Sequence, residues 1–168
     1  SLERNINRTP LFNDCGDNVA KSRDALLQCA RKRFGIEARY ESELPDAGYA
    51  LIERETAAGV VKVVFDAGNP GPAYAMGHAH CDALSFECFI DGEPWIVNCG
   101  TYAYQDETRL RYKATLSHST IRLDGVEQHE CWGAFSVARY SVAAIEAVSD
   151  TTVRGVLFQR GTQSTLRR

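Results

Sequence analysis

Residues 77–120 read GHAHCDALSFECFIDGEPWIVNCGTYAYQDETRLRYKATLSHST. Inside this stretch Leu84 to Ile90 and Trp95 to Val97 are strand-like runs, and Asp91-Gly92 stands between them. That dipeptide favours the tight turn of a hairpin, because both residues accept positive φ. The stretch therefore predicts antiparallel strands. It also holds three of the chain's four histidines, and the fourth, His129, lies just beyond. Side chains able to bind a metal or move a proton near neutral pH are thus concentrated here.

Working outward, the strand pattern continues on both sides. Tyr49 to Arg54 and Val60 to Phe65 read as a hairpin around Thr56 to Gly59, followed by the loop Gly68-Asn69-Pro70-Gly71-Pro72. Further strands are predicted at Ser119 to Leu123, Ala134 to Tyr140, Val142 to Val148 and Val153 to Gln159, with turns at Asp124-Gly125 and Ser149-Asp150. Consecutive short strands joined by tight turns describe an antiparallel β-sandwich rather than a βαβ sheet. Toward the N-terminus, residues 1–18 are polar and turn-rich and read as a linker or extended arm, in which Leu11 and Phe12 can tuck against a neighbour. Val19 to Phe34 has apolar residues near helical spacing, with Asp17 or Asn18 as cap and Gly35 as stop. An amphipathic helix packed on a sheet is the expectation.

The fold class is accordingly mainly β, an antiparallel β-sandwich with one N-terminal α-helix. The composition changes near Leu44-Pro45-Asp46, which divides the chain into residues 1–44, linker and helix, and residues 45–168, sandwich. The abrupt start at Ser1 and end at Arg168 lead us to expect a piece of a larger protein, with 1–44 the tail of a preceding helical domain and the sandwich truncated at its C-terminal end.

A chain of 168 residues, 44% of them hydrophobic, is one domain's worth and can bury about two-thirds of its unfolded surface. A net charge of -3, with scattered Lys and Arg, argues against general nucleic-acid binding, which needs a clustered basic surplus. No apolar run approaches the roughly 20 residues of a membrane-spanning helix, and the first residues lack a signal peptide's apolar core. The six cysteines show no C-x-x-C pair and signal neither a zinc knuckle nor a disulfide framework. Cys88 and Cys99 read as core positions, and the disulfide state stays open.

His78 and His80 are separated by one residue, so on an extended backbone both rings project from one face. Asp82 continues that face, Asn98 ends the strand after the Asp91-Gly92 turn, and His118 opens another strand. Nitrogen and oxygen donors from separate strands are how a β scaffold holds a metal. The run Gly77-His78-Ala79-His80-x-Asp82-Ala83-Leu84-Ser85-Phe86-Glu87, then Val97-Asn98-x-Gly100-Thr101-Tyr102, then Ser117-His118-Ser119-Thr120 and Asp124-Gly125, resembles the C-terminal β-sandwich domain of the heparinase II/III family of polysaccharide lyases.

The resemblance implies a periplasmic or secreted bacterial enzyme in which a helical toroid domain precedes the sandwich and an anionic polysaccharide, a glycosaminoglycan or alginate, binds between them. It also implies that His78 faces the cleft and that His80, Asn98 and His118 hold Zn2+. Asn98 stands where the family pattern has Asp, offering a carbonyl oxygen without charge. In β-elimination a base takes the proton α to a uronate carboxylate, an acid protonates the leaving oxygen, and the developing charge needs neutralising. His78 suits neutralisation or relay. Tyr112, or Tyr102 and Tyr104, suit the acid and base, and the isolated chain is expected to be inactive. A non-catalytic carbohydrate-binding or scaffold module is the alternative, and a cupin-like metal enzyme a third, poorer fit. Trp95 and Trp132 read as core residues, His129 as a solvated turn residue, and Arg109, Arg111 and Lys113 as a local basic patch.

Overall fold

The computed structural model describes residues 8–16 and 20–168. Helix α1 (Arg23–Phe34) is capped by Ser22, whose hydroxyl accepts from the Ala25 N–H, and it ends at Gly35 with φ of 64°. The expected stop at Gly35 is therefore in place. The start differs, because Ser22 satisfies the orphan donor nearer the helix; Asp17, Asn18 and Val19 lie outside the described residues. None of its residues is buried, so the amphipathic packing expected of it is absent among the described residues.

Strands β1 (Glu43–Leu44), β2 (Tyr49–Thr56), β3 (Gly59–Asp66), β4 (Ser85–Ile90) and β5 (Glu93–Ile96) form one antiparallel sheet in sequence order. Asp91 and Gly92 turn the second hairpin with φ of 51° and 85°, the positive values the dipeptide predicts. After helix α2 (Arg109–Lys113) and a 3-10 turn (Thr115–Ser117), β6 (Glu130–Cys131) and β7 (Val137–Ala138) make a two-stranded pair. Strands β8 (Val142–Val148), β9 (Val153–Gln159) and β10 (Ser164–Arg167) form a three-stranded sheet.

The sandwich interior lies between the larger sheets. Phe65 and Phe86 sit opposite each other across β3 and β4, and Phe65 packs with Ala67, Ala83 and Leu84 against Ala143 and Leu157 of the smaller sheet. Gly155 on β9 permits the close approach: a Cβ there would stand 2.6 Å from Leu84 Cδ2 and 2.8 Å from Phe65 Cε1. On the other face of the large sheet Val64 and Phe89 are covered by Phe12. Burial of one such aromatic side chain is worth about 1.5–3 kcal/mol. The segment 8–16 is therefore part of the sandwich's packing, and the Leu11 N–H donates to Glu87 Oε1 at 2.9 Å.

Several expectations change. No strand forms at Ser119 to Leu123, where backbone groups are held by side chains: the Ser119 N–H donates to Asn98 Oδ1, and Gln128 Nε2 donates to the Ile121 carbonyl. The strand expected over Ala134 to Tyr140 shrinks to β7. Trp95 and Trp132 are 70% and 71% exposed rather than core, Trp95 because β5 is the edge of its sheet and none of its residues is buried. Cys88 is half-buried on β4, whereas Cys99 is exposed and outside any strand; none of the six cysteines is in a disulfide. No helix among the described residues is long and apolar enough to cross a membrane.

Candidate active site

Loops rather than strands carry the histidines. Residues 77–82 form turns and irregular backbone ahead of β4, and His118 follows the 3-10 turn instead of opening a strand. With no ladder to impose alternation, the two neighbours separate: the side chain of His78 is 70% exposed and that of His80 is 0% exposed. They do not project from one sheet face. They meet instead on a carboxylate from the N-terminal segment. His78 Nδ1 lies 2.6 Å from Asp14 Oδ2, and His80 Nε2 lies 2.7 Å from Asp14 Oδ1.

Arg109 completes this centre. It is buried, its Nη2 donates to Asp14 Oδ2 at 2.7 Å, its Nη1 reaches Asp14 Oδ1, and Nη1 also donates to Thr101 Oγ1 at 3.0 Å. The Thr101 hydroxyl donates to Asp14 Oδ1 at 2.6 Å. Burial raises the Asp14 pKa, but the hydrogen bonds from His80, Arg109, Thr101 and His78 outweigh it and hold the carboxyl well below the usual range. Asp14 is thus an anion paired bidentately with a guanidinium.

The backbone around it is tied down as well. The Asn13 N–H donates to Asp82 Oδ2 at 2.7 Å, the His80 N–H donates to Asn13 Oδ1 at 3.1 Å, and the Thr101 N–H donates to the Cys15 carbonyl at 3.0 Å. Tyr104 and Phe135 are stacked, and each ring centroid lies 6.1 Å from that of His78, edge to face. The Arg109 guanidinium stands 5.1 Å from the Tyr104 ring centroid, within cation–π range.

Behind Asp14 lies the buried pair His80 and His118, with ring centroids 5.2 Å apart. Burial, with His80 adding to it, lowers the His118 pKa to about 4 against an opposing contribution from Asp82, so the ring is neutral at pH 7. Neither ring nitrogen of His118 makes a hydrogen bond of good geometry, and His80 Nδ1 and Asn98 Nδ2 are likewise buried without a partner. Asn98 Oδ1 accepts from the Ser119 N–H at 3.0 Å, and the Asn98 N–H donates to Glu87 Oε1 at 2.9 Å. Imidazole nitrogens without a hydrogen bond and an amide oxygen are donor types that suit zinc, and the His80 contact to Asp14 is the carboxylate partner typical of a metal-ligating histidine. The donor set fits Zn2+ as two nitrogens and one uncharged oxygen. Among the described residues no group of three His, Cys, Asp or Glu side chains is placed to hold a metal, so Asn98 would have to supply the third ligand.

Tyr112 lies on α2, half-buried, with Tyr102 stacked on it at 6.0 Å between centroids. Tyr104 is the tyrosine beside His78. The supposed basic patch is largely interior: Arg109 and Lys113 are buried, and Lys113 Nζ donates to the carbonyls of Gly77 and Ala134, with burial lowering its pKa. His129 is buried, not solvated, because its Nδ1 accepts from the Ser141 N–H at 3.0 Å. A groove lined by Glu43, Glu53 and Asp150 contains none of the histidines.

From the sequence, Arg109 reads as part of a basic patch, Glu87 as part of the ordered motif and Asp14 as a turn residue, and none of the three is placed with the histidines. Asn13-Asp14-Cys15-Gly16 carries an ordinary turn signal, and Asp14 stands 64 and 95 positions from His78 and Arg109.

Comparison with known families and structures adds to this geometry. The family described as heparinase II/III-like, C-terminal, matches residues 37–165. The crystal structure of heparinase III superposes with a TM-score of 0.63 at 14% identity, over 99% of this chain and 29% of that one. Heparan sulfate lyase HepC from Pedobacter heparinus gives a TM-score of 0.56 at 20% identity, over 95% of this chain and 29% of that one. The chain thus spans less than a third of the length of the solved structures it matches, and at these identities the likeness shows the fold. No curated protein matches.

Proposed function

Because the chain belongs to the heparinase II/III family through its C-terminal domain, we propose that it is the sandwich part of a polysaccharide lyase that cleaves uronate-containing chains by β-elimination. The observation that carries this reading is an exposed His78 ring anchored by Nδ1 to a buried, ionised Asp14 and flanked by Tyr104. An imidazole fixed at Nδ1 and open at Nε2 can take up or relay a proton at the substrate. Tyr112 is assigned to proton transfer, with Tyr104 as the second hydroxyl to compare. A helical N-terminal domain completes the cleft, a heparan sulfate-like or alginate-like chain is the substrate class, and the periplasm or cell exterior of a bacterium is the setting.

His80, through Nδ1, with His118 and Asn98 would hold Zn2+. When bound, the ion would cross-link the three loops that carry these residues and add part of its binding free energy to stability. In a longer protein containing this segment, His78→Ala lowers kcat for release of unsaturated uronate by roughly 100-fold or more with an unchanged melting temperature. His80→Ala lowers the melting temperature and removes its sensitivity to chelator. Equal thermal losses in both variants, with activity following stability, would overturn the assignment of His78. The exposed Trp95, Trp132 and Tyr102 favour a second reading as a carbohydrate-binding module, which retention on a polysaccharide column without product at any protein length would establish.

A further inference from the structure

We infer that Asp14 is a positioning residue which fixes His78 and His80 in opposite tautomers, leaving Nε2 of His78 and Nδ1 of His80 as the bare nitrogens. The inference rests on the lyase reading only for its kinetic consequence. Asp14 also lies outside the region that matches the family, residues 37–165.

An ionised carboxylate has no proton to give, so a ring nitrogen at hydrogen-bond distance from it must carry one. His78 Nδ1 at 2.6 Å and His80 Nε2 at 2.7 Å are therefore both N–H groups. Arg109 Nη1, also a donor, approaches His80 Nε2 at 3.3 Å and would ask for the opposite tautomer, but the Asp14 oxygen is nearer and better matched. Arg109 pairs with the charge of Asp14.

Geometry makes the assignment rigid. The Asn13, Cys15, His80 and Thr101 backbone bonds hold Asp14 from both sides, and Tyr104 and Phe135 flank the His78 ring. A free neutral imidazole prefers its proton on Nε2. His80 is therefore held in the form it already favours, while His78 is held against its preference. The effect of Asp14 is consequently readable at His78. With both rings neutral, the exposed one presents its lone pair on Nε2, and the buried one on Nδ1, the nitrogen that lacks a hydrogen bond.

Asp14→Asn separates the two demands. Oδ1 takes three partners, His80, Thr101 and Arg109 Nη1, whereas Oδ2 takes two, His78 and Arg109 Nη2, so the single amide oxygen keeps the Oδ1 position and the amide N–H2 faces His78 Nδ1, with Arg109 Nη2 turning away from it. A donor facing Nδ1 turns His78 to the Nε2–H form and leaves His80 as it was. The test is nitrogen NMR of the histidine-labelled chain with chelator at about pH 9, where imidazoles are neutral, with His78→Ala assigning its signal by loss. The expected result is Nδ1–H on His78 in the unmodified chain, Nε2–H on His78 in Asp14→Asn, and Nε2–H on His80 in both. A proton on His78 Nε2 in the unmodified chain overturns the inference and requires no variant to fold. So does an unchanged His78 tautomer in an Asp14→Asn protein whose backbone amide spectrum is intact. In the longer protein with a uronate polysaccharide, Asp14→Asn lowers kcat roughly 10–100-fold with KM nearly unchanged. A switched tautomer with unchanged kcat overturns the kinetic part, whereas absence of lyase activity before any substitution sinks the lyase reading and leaves the tautomer result to decide this one.

Discussion

The β3–β4 ladder and the Asp14 centre are neighbours that solve the same problem in different ways. In the ladder, backbone groups pair with each other from Val61 opposite Ile90 to Asp66 opposite Ser85, which frees Val64, Phe65 and Phe89 to be apolar. In the centre there is no ladder. The N–H groups of Leu11, Asn13, His80, Asn98, Thr115 and Ser119 donate to the side chains of Glu87, Asp82, Asn13, Glu87, Glu127 and Asn98. Buried polar side chains there replace the missing strand partners, as buried backbone groups require. The lesson is that one polar side chain at the centre supports several segments, as Glu87 does by reaching it from β4, whereas an apolar side chain of the ladder supports its own packing.

The largest effect that can break this contrast belongs to Arg109. Arg109→Ala removes the cation paired with Asp14 and one of the two donors to the Ala134 carbonyl, and should cost about 3–5 kcal/mol in urea unfolding, the usual loss when one partner of a buried ion pair is removed. A cost under about 1 kcal/mol would show that the centre is solvated and held elsewhere. Next is Leu157→Ala in the sandwich interior, expected to cost about 2–5 kcal/mol through lost burial and a cavity. Amide exchange sharpens the comparison: this loss should leave protection of the His80 and Asn98 N–H groups, relative to the global value, unchanged. Loss of that relative protection would make ladder and centre one cooperative unit.

The smallest effect is on pH dependence. Burial pushes His129 down to about 4 from an ordinary 6.5. Between these values the unfolded chain binds the extra proton, so the contribution of neutral His129 is fully present above pH 6.5 and is lost as pH falls toward 4. The sign is opposite to that of a histidine gaining an anionic partner. Stability should decline across this window by at most about 1.4 kcal/mol per pH unit for this residue. His129→Gln should leave only the shallower slope of His118, which is shifted in the same direction. An identical slope in both proteins would place the titration elsewhere. Asp14, whose pKa is lowered, adds a loss only as pH falls below the ordinary carboxylate value of 3.8.

Much of the fold was legible because its causes are local in sequence. Asp91-Gly92 specifies a turn by its own φ preferences, and the β2–β3 and β8–β9 hairpins follow from apolar runs separated by a few residues. The ordered motif through Gly77, His78, His80, Asn98 and His118 carried the family in the same way. Burial and partner choice were decided elsewhere. Trp132 reads as core and is exposed, whereas Arg109, Lys113 and His129 read as solvated and are buried. Composition favours one outcome for each residue type, but a buried cation or imidazole depends on whether distant groups satisfy it.

The sequence by itself determined the hairpin strands β2, β3, β4, β8 and β9, the Asp91-Gly92 turn, the helix stop at Gly35 and the residues available for chemistry, since each depends on backbone preference or on order along the chain. Only the tertiary structure decided that Asp14 of the N-terminal segment joins His78, His80, Thr101 and Arg109, and that two histidines one residue apart differ as surface and core. The physical reason is that a carboxylate's partners are fixed by packing across 64 to 95 positions of chain, a range over which no local propensity acts.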